Sequence, residues 1–177
     1  MSNDAQATST RRPGRPKAGS EDKKERILAE ALTLFSTRGY VGTSLADIAR
    51  ASDISKAGLL HHYSSKDQLL AAVLDERDRR TMSRLPGGDA GAEVALDAWV
   101  EMVAHNQRHP DGVALYTAMS AAVIDADHQA HPWFRQHLMS AIAYLVDALE
   151  RGKATGEVRA DAPSEQIARK LVALSDG

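Results

Sequence analysis

A short stretch in the first third of the chain, residues 55–62, carries side chains suited to contact with an anionic polymer. It begins with Ser55, a residue type that caps helix N-termini. Small and cationic residues in the first turn of a helix let its N-terminus approach phosphates and base edges closely. The residues expected to face outward from this helix are Lys56, Ala57, Gly58, His61 and His62. The pattern therefore predicts a helix that contacts nucleic acid.

Another short helix, predicted over residues 44–51, precedes this one, and a turn that contains Asp53 separates the two. Ala49 is small enough to let the helices approach closely, and Asp53 is a residue type that tolerates a positive φ. The apolar residues expected to fill the wedge between the helices are Leu45, Ile48, Ile54 and Leu59. These features predict a helix-turn-helix. Spacing alone leaves open a pair of ordinary packed helices with solvated histidines and lysine.

The first 20 residues are rich in Ser, Thr, Asn, Gly and Pro and lack apolar periodicity, so we expect a flexible arm. Arg11, Arg12, Arg15 and Lys17 fall within seven residues that contain no acid. The Gly-Arg-Pro at their centre resembles an AT-hook, and Arg side chains suit a narrow A·T minor groove. Arg12, Arg15 and Lys17 are therefore candidate DNA contacts. The alternative is a solvated tail that serves only solubility.

After the arm, apolar residues recur at helical spacing, and no segment alternates convincingly as a strand does. The predicted helices cover residues 21–38, 44–51, 55–62, 65–84, 92–108, 111–124, 132–151 and 163–177. Gly152 is predicted to end the helix that Pro132 begins. Pro86 and the glycines that follow it interrupt the pattern near the expected domain boundary. The predicted fold is all-α, with a helix-turn-helix domain over 21–81 and a second helical domain over 82–177.

Composition excludes several classes of protein. The chain has no Cys, which excludes disulfide scaffolds, cysteine nucleophiles and thiolate metal sites. Its longest uncharged stretch, residues 112–124, has 13 residues, whereas a membrane span needs about 20. Because no secretory signal is visible either, we expect a cytoplasmic protein with no membrane partner. No P-loop, HExxH or GxSxG pattern occurs, so we predict neither enzyme activity nor a cofactor.

Charge is distributed unevenly along the chain. Residues 1–80 contain 14 Lys and Arg against 11 Asp and Glu, a balance of +3. The remainder contains 8 against 13, a balance of −5. A basic N-terminal part on an acidic remainder suggests an anionic partner held at one end of the molecule.

Larger flexible and aromatic side chains concentrate in the second domain. Those selected as candidate pocket residues are Trp99, Met102, Tyr116, Met119, Trp133, Phe134 and His137. Plain core packing is one interpretation, and an apolar pocket between helices for a small effector is the other. His105 and His109 have a spacing compatible with a metal ion on a helix face. Without Cys or a paired acidic motif, we expect solvated or pocket histidines and no metal site.

Residues 39–70 resemble the DNA-binding domain of the TetR family of transcription regulators. The matching positions occur in order as Gly39-Tyr40, Thr43-Ser44, Ile48-Ala49, Ser55, His62-Tyr63 and Ser65-Lys66-Asp67. The resemblance implies that Thr43, Ser44, Ser55, Tyr63 and Lys66 join the DNA contacts, and that the motif spans about residues 44–63. This chain has Asp53, Ala57-Gly58 and Leu60 where the family usually has Gly, Gly-Thr and an aromatic residue. Base preference therefore does not carry over from any relative.

Residues 131–138 and 152–177 are similar, more loosely, to the ligand-sensing domains of one branch of that family. The resemblance implies a homodimer through helices 133–151 and 164–177, with a final helix shorter than in relatives. It further implies a repressor that binds a near-palindromic operator in double-stranded DNA as a dimer and responds to a small apolar effector. The alternatives are an activator of the same family and a helical protein-interaction adaptor that does not bind DNA.

Overall fold

The computed structural model describes residues 18–108, 110–122, 128 and 130–176. Within these ranges every regular element is an α-helix, which confirms the predicted all-α fold. The helices are α1 (Ala18–Arg38), α2 (Leu45–Ala51), α3 (Lys56–His62), α4 (Lys66–Met82), α5 (Ala92–Arg108), α6 (Pro110–Ala122), α7 (His131–Thr155) and α8 (Ser164–Asp176). In this described part of the chain, no helix is both long and apolar enough to cross a lipid bilayer.

Helices α1 to α4 share a hydrophobic core. Ile27 and Phe35 of α1 are buried with Ile48 of α2, Leu59 of α3 and Leu69 of α4, and each of these side chains is at most 1% exposed. Residues three and four positions apart share one face of a helix, so each helix presents its apolar stripe inward. Burial of one such side chain contributes about 1.5–3 kcal/mol. This core therefore fixes the orientations of the short helices α2 and α3.

Helix α4, together with α6 and the start of α7, connects this core to the rest of the molecule. Its apolar face packs with α1, and farther along it carries two aspartates that pair with α7. The Trp133 indole N–H donates to Asp75 at 2.8 Å, and His137 Nδ1 lies 2.8 Å from Asp78 Oδ1. These two contacts join α7 directly to α4.

A second core lies among α5, α7 and α8. Its buried members include Trp99 and Met102 of α5, Ala141 and Leu145 of α7, and Val172 of α8. The indole N–H of Trp99 donates to the Ser175 hydroxyl at 2.9 Å, so this large side chain is buried with its polar atom satisfied. The second domain thus has its own core.

Two helix boundaries differ from the predictions by three residues or more. Helix α1 begins at Ala18, three residues before the predicted start, and α7 continues past Gly152 to Thr155. The residue that ends α7 is Gly156, with a φ of 82°. Gly152 is buried inside the helix, where an added Cβ would lie 2.5 Å from Ala92 Cβ and 2.6 Å from Val158 Cγ2. The prediction that Gly152 ends this helix was wrong, because the glycine serves close packing and not a left-handed turn.

Candidate nucleic-acid interface and ligand cavity

The helix-turn-helix is held by one side-chain cap on each helix and a strained residue between them. The Ser44 hydroxyl accepts from the Asp47 amide while the Asp47 carboxylate accepts from the Ser44 amide, a capping box for α2. The Ser55 hydroxyl accepts from the Gly58 amide at 3.0 Å and caps α3. Asp53 has a φ of 52° and is the single non-glycine residue with positive φ in the described ranges. The predicted role of Asp53 as the left-handed turn residue is confirmed.

The capping box also sets the ionisation of its carboxylate. Hydrogen bonds from the Ser44 hydroxyl and amide lower the pKa of Asp47, and the nearby Arg50 guanidinium acts in the same direction. An ionised Asp47 in the first turn of α2 complements the positive end of the helix dipole. The start of α2 is therefore fixed at neutral pH.

Helix α3 has one buried face and one exposed face. Leu59 is fully buried, whereas Lys56, Ala57 and His61 are exposed, as predicted for the outward face. Gly58 is half-buried, and a Cβ added there would lie 3.2 Å from the Ser55 hydroxyl oxygen. The first turn of α3 thus presents one cation and little side-chain bulk, a surface that can approach a duplex groove closely.

His62, at the end of α3, is half-buried beside other basic groups. Burial lowers the pKa of its imidazole, and the charges of His61, Lys24 and Lys23 add to the effect. The ring of His62 lies edge-on to that of His61, with centroids 5.8 Å apart. His62 therefore favours the neutral form, which can both donate and accept a hydrogen bond.

Two residues that the family resemblance assigned to DNA contact are instead buried. Thr43 is 1% exposed, and its hydroxyl lies 2.9 Å from the Gly39 carbonyl oxygen and 3.1 Å from that of Leu34. Tyr63 is 9% exposed within the first core, and burial raises the pKa of its phenol. These side chains shape the positions of α2 and α3, and their contact with DNA stays a prediction.

Lys66, another predicted DNA contact, binds groups of the protein itself. Its ammonium donates to the Tyr40 carbonyl at 2.8 Å and the Thr43 carbonyl at 3.0 Å, and it lies 4.2 Å from the centre of the Tyr40 ring. The Tyr40 hydroxyl in turn donates to the carboxylate of Asp67. Lys66 thus holds the loop between α1 and α2 against the start of α4, and its contact with DNA stays a prediction. Of the other predicted contacts, Arg12, Arg15 and Lys17 lie outside the described residues.

A cavity of about 100 Å³ lies among α4, α5, α6, α7 and α8. Four of the predicted pocket residues line it, namely Trp99, Met102, Tyr116 and His137. The other three lie elsewhere, with Met119 and Phe134 buried in the first core and Trp133 partly buried against it. Trp133 stacks on His137 with centroids 5.0 Å apart and donates to Asp75, so it joins α7 to α4 instead of lining the cavity.

A larger cleft of about 440 Å³, which was not predicted from the sequence, lies between α1, α4, α5 and α6. Its polar lining is mainly basic and includes Arg77, Arg80, Arg84, His105 and Arg108. Its apolar lining includes Leu28, Leu32, Val73 and Val113. The arginines at positions 77, 80 and 84 recur every three or four residues along α4 and its C-terminal extension, a signal that charge patterning alone could have provided.

Glu76 is the acidic residue in the described lining of this cleft. Its carboxylate accepts from Arg79 at 2.7 Å and from Arg80 at 2.5 Å. Burial alone would raise the pKa of Glu76, but the hydrogen bonds from Arg79 and Arg80 outweigh it and hold the pKa below its usual value. The cleft therefore contains one firmly ionised carboxylate among several cations.

No three His, Asp or Glu side chains in the described part of the chain are grouped so that they could hold a metal ion. His105 lies in the wall of the cleft, and His109 lies outside the described residues. The expectation that His105 does not bind a metal ion therefore stays a prediction.

Comparison with known proteins relates the N-terminal domain to a large family. The family described as bacterial regulatory proteins, tetR family, matches residues 27–73. The biofilm operon icaADBC HTH-type negative transcriptional regulator IcaR of Staphylococcus epidermidis is 46% identical over 46 residues, which cover 26% of this chain and 25% of that protein. Its counterpart in Staphylococcus aureus strain Newman is 48% identical over 46 residues, with the same coverage. The match thus spans about a quarter of the length of these curated relatives.

Solved structures extend the similarity over most of the chain. GusR of Salmonella enterica is 30% identical with a TM-score of 0.75, over 88% of this chain and 81% of that one. A TetR transcription regulator from Haloarcula marismortui is 25% identical with a TM-score of 0.76, over 89% of this chain and 84% of that one. With the helix-turn-helix and the second helical domain both matched in this way, the chain belongs to the TetR family of bacterial transcription regulators.

Proposed function

We propose that this protein is a ligand-responsive transcriptional repressor that binds a near-palindromic operator as a homodimer in the cytoplasm. The observation that carries the proposal is the geometry of α3. Its buried face is anchored by Leu59, while its first turn exposes Lys56 and Ala57 and is capped by Ser55. A rigid helix with a small, cationic N-terminal turn suits insertion into the major groove. The negative regulators that match the N-terminal domain support repression over activation.

Homodimerisation is proposed through α7 and α8. Met139 on α7 is 56% exposed and Leu174 on α8 is 80% exposed. Apolar side chains exposed on two neighbouring helices are suited to burial against a second copy of the chain. A two-fold dimer would present two α3 helices, and two symmetric readers require an inverted repeat in the DNA.

Ligand response is proposed to travel along α4. A molecule in the cavity would contact His137 and Tyr116, and His137 pairs with Asp78 of α4. Because the other end of α4 is packed into the core of the DNA-binding domain, a shift of α4 changes the separation of the two α3 helices. Binding of effector and operator is then coupled reciprocally, by about 1–3 kcal/mol in typical cases.

Selection of bound duplexes from a random pool tests the proposal. The full chain should enrich an inverted repeat whose half-sites lie about 10 base pairs apart, or a multiple of that distance. Binding of the enriched duplex, followed by fluorescence anisotropy, should weaken steeply as salt rises because phosphate contacts release counterions. If no sequence is enriched and the binding of duplex DNA does not depend on salt, a protein-interaction adaptor is favoured instead.

A further inference from the structure

We propose that the cationic cleft and the inner cavity form one binding site, and that its ligand is an organic anion with an apolar body. The two spaces share Arg77, Thr81, Asn106 and Val113 in their linings, so they are adjacent and open to the same side chains. The charged group of the ligand would lie at the arginines of the cleft, and its apolar body would point toward Trp99 and Tyr116. Only the step from ligand binding to operator affinity depends on the proposed function.

Charge in the cleft determines the sign of the ligand. Four arginines and His105 line it, against the single carboxylate of Glu76, and Glu101 lies in an adjoining depression that shares Arg84 and Arg108. Even with both carboxylates counted, the described lining has a net positive charge. Guanidinium groups bind carboxylate and related anions through paired hydrogen bonds, which are stronger than neutral ones. An anionic group therefore complements the net charge of the described lining.

The apolar lining determines the rest of the ligand. Leu28, Leu32 and Val73 line the cleft, and the aromatic rings of Trp99 and Tyr116 line the inner cavity. A small inorganic anion would leave these walls in contact with water, and an uncharged apolar molecule would leave the arginines without a new partner. The volume of the cleft, about 440 Å³, falls within the range of small-molecule pockets. An amphipathic anion satisfies both parts of the lining.

The position of the cleft gives such a ligand a route to the DNA-binding domain. One wall comes from α1 and α4, and the other comes from α5 and α6. A ligand that contacts both walls binds one relative arrangement of the two domains more tightly than another. It shifts the equilibrium between these arrangements by the difference between its two affinities. The anion would therefore act at the junction of the domains as well as in the inner cavity.

Two fluorescent probes that differ in charge test the site on the full chain without DNA. The probes are 8-anilinonaphthalene-1-sulfonate and its uncharged analogue N-phenyl-1-naphthylamine. The double variant R84Q/R108Q should bind the sulfonate at least about tenfold more weakly than the unaltered chain, since two charged hydrogen-bond donors are lost. It should bind the uncharged amine within about twofold of the unaltered chain. The charge-matched control R135Q/R159Q alters two exposed arginines outside the cleft and should leave both affinities unchanged.

A competition on the unaltered chain tests the same inference without substitutions. Octanoate should displace the bound sulfonate probe at concentrations at least about tenfold below those that octan-1-ol requires. Equal displacement by the acid and the alcohol would overturn the proposal, as would equal sulfonate affinity of R84Q/R108Q and the control. Because neither experiment contains DNA, its failure leaves the regulator proposal standing, and failure of operator selection leaves the ligand site standing.

Discussion

Replacement of Lys66 by Met separates a positioning role from a phosphate contact. Lys66→Met keeps the aliphatic stem but removes the ammonium that donates to the Tyr40 and Thr43 carbonyls. Hydrogen bonds from charged donors contribute about 1.5–3 kcal/mol each when buried. The side chain of Lys66 is only half-buried and the freed carbonyls can bind water, so we expect a total loss of about 2 kcal/mol in the free energy of unfolding.

Urea denaturation and salt-dependent DNA binding measure the two roles separately. A positioning role predicts the loss of stability together with an unchanged log–log salt slope for operator binding. A direct phosphate contact predicts the reverse, with a slope reduced by about 0.9 per chain and little change in stability. Lys56→Met is the matched control, because Lys56 is exposed on the outward face of α3 and its loss should leave stability within about 0.5 kcal/mol. Unaltered stability in Lys66→Met would refute the positioning role.

Three further outcomes follow from the structure and the sequence. Gly152→Ala should lower the free energy of unfolding, measured in urea, by about 1–3 kcal/mol because the added methyl group overpacks the site. Gly88→Ala is the control and should not lower it, since Gly88 has open space around it. Equal effects of the two substitutions would contradict the close packing at Gly152. Because the pKa of folded His62 is lowered, mainly by burial, the unfolded chain takes up its proton first and stability is lost as pH falls below about 6.5. His62→Gln should therefore lose less stability than the unaltered chain between pH 7 and pH 5, and an equal loss would contradict this. Removal of residues 1–17 should reduce the log–log salt slope of operator binding by up to about 3.6 per half-site. It should also weaken DNA binding more on A·T-flanked operators than on G·C-flanked ones. An unchanged slope would mean that the arm does not touch DNA.

Local signals in the sequence were sufficient for the helices and for the turn of the recognition motif. The hydroxyl residues at positions 44, 55 and 65 each cap the helix that follows, and Asp53 takes the positive φ expected of it. These features depend on neighbours a few residues away, so spacing reveals them. Gly152 shows the limit, because a glycine near a helix end resembles a stop until the residues packed against it, Ala92 and Val158, are known.

Side-chain roles that depend on distant contacts were harder to predict. Thr43 and Tyr63 have the polar groups of DNA contacts, yet both are buried. Thr43 lies beside carbonyls at the end of α1 and in the loop that follows, and Tyr63 lies in the first core. The spacing of Arg77, Arg80 and Arg84 is visible in the sequence, but the opposite wall of the cleft comes from separate segments of the chain. Only folding brings Arg84 and Arg108 to one lining. The link between Trp133 and Asp75 spans 58 residues and leaves no periodic signal in the sequence.

One comparison of selected duplexes shows whether α3 reads bases in the major groove. The unaltered chain and Lys56→Ala are used to select duplexes from the same random pool, and the two base-preference profiles are compared. The unaltered chain should enrich an inverted repeat. The variant should lose preference at the same one or two base pairs of each half-site, by about 1–3 kcal/mol per contact. Identical profiles, or no enrichment by the unaltered chain, would contradict the placement of α3 in the groove.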